Sequence, residues 1–155
     1  MEEQTKLHFP WAEGPVHGKC IQVAKGVLWF RLPLPMRLDH VNIYVLDDED
    51  GWTVIYTGFD TKKTRAIWLS MIGGPLAGKP IRRVVLTHHH PDHVGLAGWL
   101  QSEFGAELLT TRTAWLFARM LTLDIQEVPV AETLAFWRSA GMQTDIFDKR
   151  AVERP

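Results

Sequence analysis

The chain has 155 residues, 46% of them hydrophobic and 23% charged, with a formal net charge of −1 at pH 7. That composition fits a soluble globular domain with enough chain for one core, and it argues against disorder. The near-neutral charge and the lack of a basic run argue against nucleic acid as the main partner.

Residues up to about Gly18 read as a loop-rich lead-in. They lack a basic segment followed by an apolar core, so no secretory signal is read, and no apolar run in the chain is long enough to cross a membrane. A cytoplasmic setting is the expectation. The single cysteine, Cys20, excludes an intrachain disulfide and a Cys-rich zinc motif. Strands are expected near Cys20 to Val23 and Val27 to Leu32, after which Pro33 and Pro35 turn the chain toward Asn42. An apolar run from Asp39 to Leu46 reads as the next strand. Asp47 to Gly51 form a turn, Trp52 to Asp60 a further strand, and a helix follows over about Thr61 to Met71. Gly73-Gly74-Pro75 and Gly78-Lys79-Pro80 flank a loop, and this glycine cluster lacks the Gly-Lys-Ser/Thr arrangement of a phosphate cradle.

Ile81 to Leu86 is a β-branched apolar run, and Val94 to Phe104 carries apolar residues at helical spacing, so a strand and a helix flank the segment between them. After Gly105, a natural helix C-cap, Ala106 to Thr110 reads as a strand. Thr111 or Thr113 caps a helix reaching about Leu123, with Trp115, Leu116, Met120 and Leu123 on or near one face. Another helix follows Pro129 and ends at Gly141, whereas Met142 to Pro155 has no strong pattern. Trp115, Phe117 and Trp137 are expected to pack in a core rather than to touch substrate. Seven Trp and seven Phe in so short a chain imply a sizeable core or a buried interface.

Between the motif strand and its helix lies Thr87-His88-His89-His90-Pro91-Asp92-His93, a His-x-His-x-Asp-His pattern. Neutral imidazoles and a carboxylate suit zinc, iron and manganese. On extended backbone, residues two apart project to one side, so His88 and His90 share an ion while His89 points away. Pro91 disfavours helical geometry at His90 and starts a helix, which places the strand-to-helix corner inside the motif. From the far side of that corner Asp92 and His93 are placed to reach a second ion, since paired metals lie about 3.5–4 Å apart. One histidine alone is usually a surface or satisfied core residue. Three imidazoles and an aspartate at one strand end are better explained by a cation.

These residues resemble the metallo-β-lactamase-fold hydrolases, especially the branch of glyoxalase II and related lactonases, over most of the chain. The resemblance implies an α/β fold, the αβ/βα sandwich, of which residues 1–155 supply one domain that is the N-terminal part of a longer hydrolase. A helical cap is implied over residues 111–141. It implies metal ligation by His88, His90, Asp92 and His93, with zinc as one or two ions and iron or manganese also compatible. Asp92 is the implied catalytic residue, orienting a metal-bound hydroxide toward a thioester, lactone or related ester, a small-molecule substrate. The family's strand ends in Asp-Thr-Gly; here it reads Tyr56-Thr57-Gly58, so Tyr56 stands where the buttressing aspartate is expected. The later histidines of the family have no counterpart, because His8, His17 and His40 all precede the motif. Two alternatives stay open: an iron-dependent oxidoreductase similar to persulfide dioxygenases, and a non-catalytic domain that self-associates as a homodimer.

Overall fold

The computed structural model describes residues 8, 10–123 and 127–153. Six strands form one sheet in sequence order: β1 (Ile21–Ala24), β2 (Val27–Pro33), β3 (His40–Asp48), β4 (Gly51–Ile55), β5 (Ile81–Leu86) and β6 (Glu107–Thr110). The first four pair antiparallel, and β4–β5 and β5–β6 pair parallel. The change of direction has a covalent reason. Antiparallel neighbours need only the short turn that pairs Asp48 with Gly51, whereas parallel neighbours need a crossover. The crossovers are helical: α1 (Lys62–Ile72) between β4 and β5, and α2 (Pro91–Val94) with α3 (Ala97–Phe104) between β5 and β6. This is the expected α/β class, a mixed sheet with covering helices.

Alternation decides which face is covered. Along β3, Val41, Ile43 and Val45 are buried while Asn42 and Tyr44 are exposed, the period of a strand with one packed face. Phe30, Leu32, Ile43, Val54 and Val84 on the packed face are fully buried with Trp68 and Met71 of α1 and Leu100 of α3. The Trp68 ring stands edge-on to Phe30 with centroids 5.0 Å apart. α1 starts where the sequence predicts, because the Thr61 side chain accepts a hydrogen bond from the Thr64 amide at 3.1 Å.

Several boundaries differ from the sequence expectation. β4 stops at Ile55 rather than running to Asp60, because Tyr56 turns into the left-handed region at φ 68°. The helix starts at Pro91, as the proline implies, but breaks at Gly95-Leu96 instead of running unbroken from Val94 to Phe104. The break has a clear cause: the Leu96 amide donates to Thr57 Oγ1 at 3.0 Å. A short helix, α6 (Thr144–Arg150), occupies a stretch where no pattern was expected. Phe147 is its one buried residue, and a single apolar anchor leaves no periodicity to read.

The chain divides into two compact units, one through Ala118 and one from Arg119 onward. Within the region expected to be a helical cap lie α4 (Arg112–Leu123) and α5 (Ala131–Ser139). The core role expected for Trp115 and Phe117 is not found: they are 49% and 43% exposed, and Ala114 is the buried residue of α4. Trp137 is half-buried. No helix among the described residues is long and apolar enough to cross a membrane.

Candidate metal centre

The site forms where two parallel strands end side by side. Ile55 of β4 is the register partner of Val85 of β5, and the Tyr56 amide donates to the Val85 carbonyl at 3.1 Å. Ligand sites in α/β sheets gather at carboxyl ends of this kind. From β4 the chain leaves through Tyr56-Thr57-Gly58, and from β5 through Thr87 to His93.

Thr57 joins these two exits. It is fully buried, and each of its polar groups is used. Its amide and its hydroxyl both donate to the His93 carbonyl, at 2.9 and 2.8 Å. Its hydroxyl oxygen accepts from the Leu96 amide, and its carbonyl accepts from Trp68 Nε1 at 2.8 Å. His93 is thus held to β4 through its backbone, independently of its ring. A glycine stands at each point of close approach. A Cβ on Gly95 would lie 2.6 Å from the Pro91 carbonyl oxygen and 2.7 Å from that of Gly58. Gly58, at φ 86°, would set a Cβ 2.5 Å from Leu32 Cδ1.

On this scaffold His88, His90 and His93 converge. One ring nitrogen from each lies within 4.8 Å of the other two. His90 is the helix-flanking residue before Pro91, with extended φ and ψ of −60° and 142°, as the proline requires. Asp92 reaches the group through His93, its Oδ2 3.1 Å from Nε2. The structure therefore brings the three histidines into one cluster and places Asp92 against one of them. His89 is not one of the converging three, as expected. Its ring stacks on Phe117, centroids 5.0 Å apart and planes 22° apart.

A cation fits these residues on two grounds. His93 Nδ1 is buried without a hydrogen-bond partner, a state that costs free energy unless something occupies that lone pair or proton. Burial also lowers the His93 pKa, with the neighbouring His88 and His90 lowering it further against the opposing pull of Asp92. Neutral imidazole is the form that binds metal.

Tyr56 and Thr87 complete the surroundings. The Tyr56 hydroxyl is 2.8 Å from Thr87 Oγ1, which is 2.9 Å from His88 Nδ1. The Tyr56 ring also lies edge-on to His93, with centroids 4.1 Å apart. A cavity of about 370 Å³ opens beside the cluster, lined by Leu38, His40, Val41, Asn42, Tyr44, Tyr56, Asp92 and His93. The sequence pattern assigned Thr57 and Thr87 no role of their own. Their signal was position alone, Thr57 within the Tyr56-Thr57-Gly58 strand end and Thr87 directly before His88.

Known proteins resemble this one in sequence and in fold. The family model of the Metallo-beta-lactamase superfamily matches residues 36–150. The chain is 37% identical over 73 residues to the probable metallo-hydrolase YqjP of Bacillus subtilis (strain 168), covering 46% of this chain and 23% of that protein. A beta-lactamase domain protein from Burkholderia ambifaria superposes with a TM-score of 0.74 at 30% identity, covering 95% of this chain and 44% of that one. A metallo-beta-lactamase family protein from Thermus thermophilus gives a TM-score of 0.60 at 22% identity and shares the fold, with 86% of this chain and 45% of that chain covered. The chain thus spans less than half the length of these relatives.

Proposed function

Because the chain belongs to the metallo-β-lactamase superfamily, we propose that it supplies the metal-binding element of a metal-dependent hydrolase, with His88, His90 and His93 as ligands and Asp92 as the catalytic carboxylate. The observation that carries this reading is the convergence of three histidine nitrogens within 4.8 Å at the end of β5. Zinc is the favoured ion, because three imidazoles match its borderline character and its usual catalytic ligand set. When bound, such an ion makes water a usable nucleophile near neutral pH and polarises the carbonyl or phosphoryl oxygen under attack.

The remaining work falls to the chain's own groups. The Asp92 carboxylate holds the His93 ring through Nε2 and accepts a proton of the attacking water, orienting its lone pair toward the scissile bond. The Thr57 bonds to the His93 carbonyl keep that ligand from drifting as charge develops. The cavity lining combines apolar side chains, Leu38 and Val41, with polar ones, His40, Asn42, Asp92 and His93. That combination suits a small ester with an apolar acyl part, and we place thioesters and lactones first among the substrates.

The test is hydrolysis by the zinc-loaded chain of a panel of thioesters and lactones, with His90→Ala alongside. Turnover that vanishes on chelation, returns with zinc and is lost in the variant is the expected result. Loaded protein that hydrolyses no member of the panel would overturn the substrate assignment. Stoichiometric iron with oxygen uptake on a persulfide would replace the hydrolase by a dioxygenase.

A further inference from the structure

At the corner where β4 ends, Tyr56 is the one non-glycine residue with positive φ among the described residues. For a bulky side chain that conformation is strained and persists only where surrounding structure enforces it. The corner brings the phenol to Thr87 Oγ1 at 2.8 Å, and Thr87 Oγ1 stands 2.9 Å from His88 Nδ1. Two hydroxyls thus join the strand exit to a ring of the histidine cluster.

Such a chain can run in two senses. In one, Nδ1–H of His88 donates to Thr87, whose hydroxyl donates to the Tyr56 oxygen, leaving the Nε2 lone pair free for a cation. In the other, Tyr56 donates to Thr87, Thr87 donates to Nδ1, and the proton on Nε2 blocks ligation. A carboxylate at position 56 would only accept and would allow the first sense alone. A phenol allows both senses, so Tyr56 fixes where the Thr87 hydroxyl sits rather than the direction of the protons. The first sense is the one a cation among His88, His90 and His93 selects, with Thr87 as the direct partner of His88.

We infer that Thr87, held by Tyr56, is the positioning residue that keeps the proton of His88 on Nδ1 and presents Nε2 to the metal. This rests on the metal-binding reading above and adds to it which residues orient the first ligand. Histidine ligands whose second nitrogen loses its partner typically bind metal about 10–100-fold more weakly. Tyr56 acts one bond further away, so its loss falls between wild type and the loss of Thr87.

The experiment measures two quantities on the 155-residue chain: the ring-nitrogen NMR shifts of His88 without metal, and the Kd for zinc. Thr87→Val is expected to move His88 toward the Nε2–H tautomer and to raise the Kd about 10–100-fold. Tyr56→Phe, which keeps the ring against His93, raises it by less, and Thr87→Ser restores both readings to near wild type. A simply structural role for Thr87 would leave the tautomer unmoved. Unchanged nitrogen shifts in Thr87→Val, or an unchanged Kd, overturn the inference. Wild-type protein that binds no zinc would instead overturn the hydrolase reading, and the nitrogen shifts would still decide the role of Thr87.

Discussion

The corner that joins β4 and β5 differs sharply from the helices that follow Ala118. At the corner, backbone touches backbone across Gly58 and Gly95, Thr57 is fully buried with every polar group bonded, and Trp68 closes the packing from below. In α5 no residue is buried, and Phe136 is 67% exposed. In α6, Phe147 alone is buried, under the guanidinium of Arg138 at 4.6 Å from its ring centroid. Precise placement of ligands requires the first kind of packing, and the second kind tolerates change. The chemistry-bearing residues lie entirely in the first.

The contrast can be broken at graded points. Trp68→Ala removes a fully buried ring and the donor to the Thr57 carbonyl, and is expected to cost about 4 kcal/mol in denaturant unfolding. Gly95→Ala drives a Cβ into three backbone atoms and is expected to cost about 3 kcal/mol, with zinc binding weakened in parallel because the two exits must separate. Thr57→Val keeps the shape but leaves the Leu96 amide without its acceptor, a loss of about 2 kcal/mol.

Surface contacts contribute less. Asp60 takes a bidentate bond from Arg65, at 2.8 and 2.9 Å, and this guanidinium lowers its carboxyl pKa. Both partners are more than a third exposed, so Asp60→Asn is expected to cost less than about 1 kcal/mol. A lowered carboxyl pKa stabilises the fold above the ordinary aspartate value. The difference between wild type and Asp60→Asn is therefore full at neutral pH and fades as acid protonates the folded carboxyl. On α5, Phe136→Ser is expected to shift stability by no more than about 0.5 kcal/mol, and a larger loss would show that this helix is more firmly packed than its exposure indicates.

The part of the site written in local spacing was legible in the sequence. His88 and His90 share a side because they are two apart, and Pro91 turns the chain so that His93 comes back to them, all within six residues. The strands were equally plain where apolar residues alternate or run together, as in Val41-Asn42-Ile43-Tyr44-Val45. What escaped depends on partners far apart in the chain. Thr57 meets His93 across 36 positions, and the break at Leu96 is invisible until Thr57 is seen to take its amide. The left-handed turn at Tyr56 escaped for another reason: the residue type disfavours it, and only the packing of the two exits imposes it. The exposed Trp115 and Phe117 show the limit of amphipathic patterns, which reveal that a helix has an apolar side but not whether anything covers it.

Metal content per chain decides whether the histidine cluster holds an ion. Protein purified without added metal and dialysed would be analysed for zinc, iron and manganese, with His90→Ala treated identically. Ligation by His88, His90 and His93 predicts about one or two equivalents of zinc on the wild-type chain and loss of that zinc in the variant. Wild-type chain that retains no metal and takes up none from micromolar zinc would contradict it.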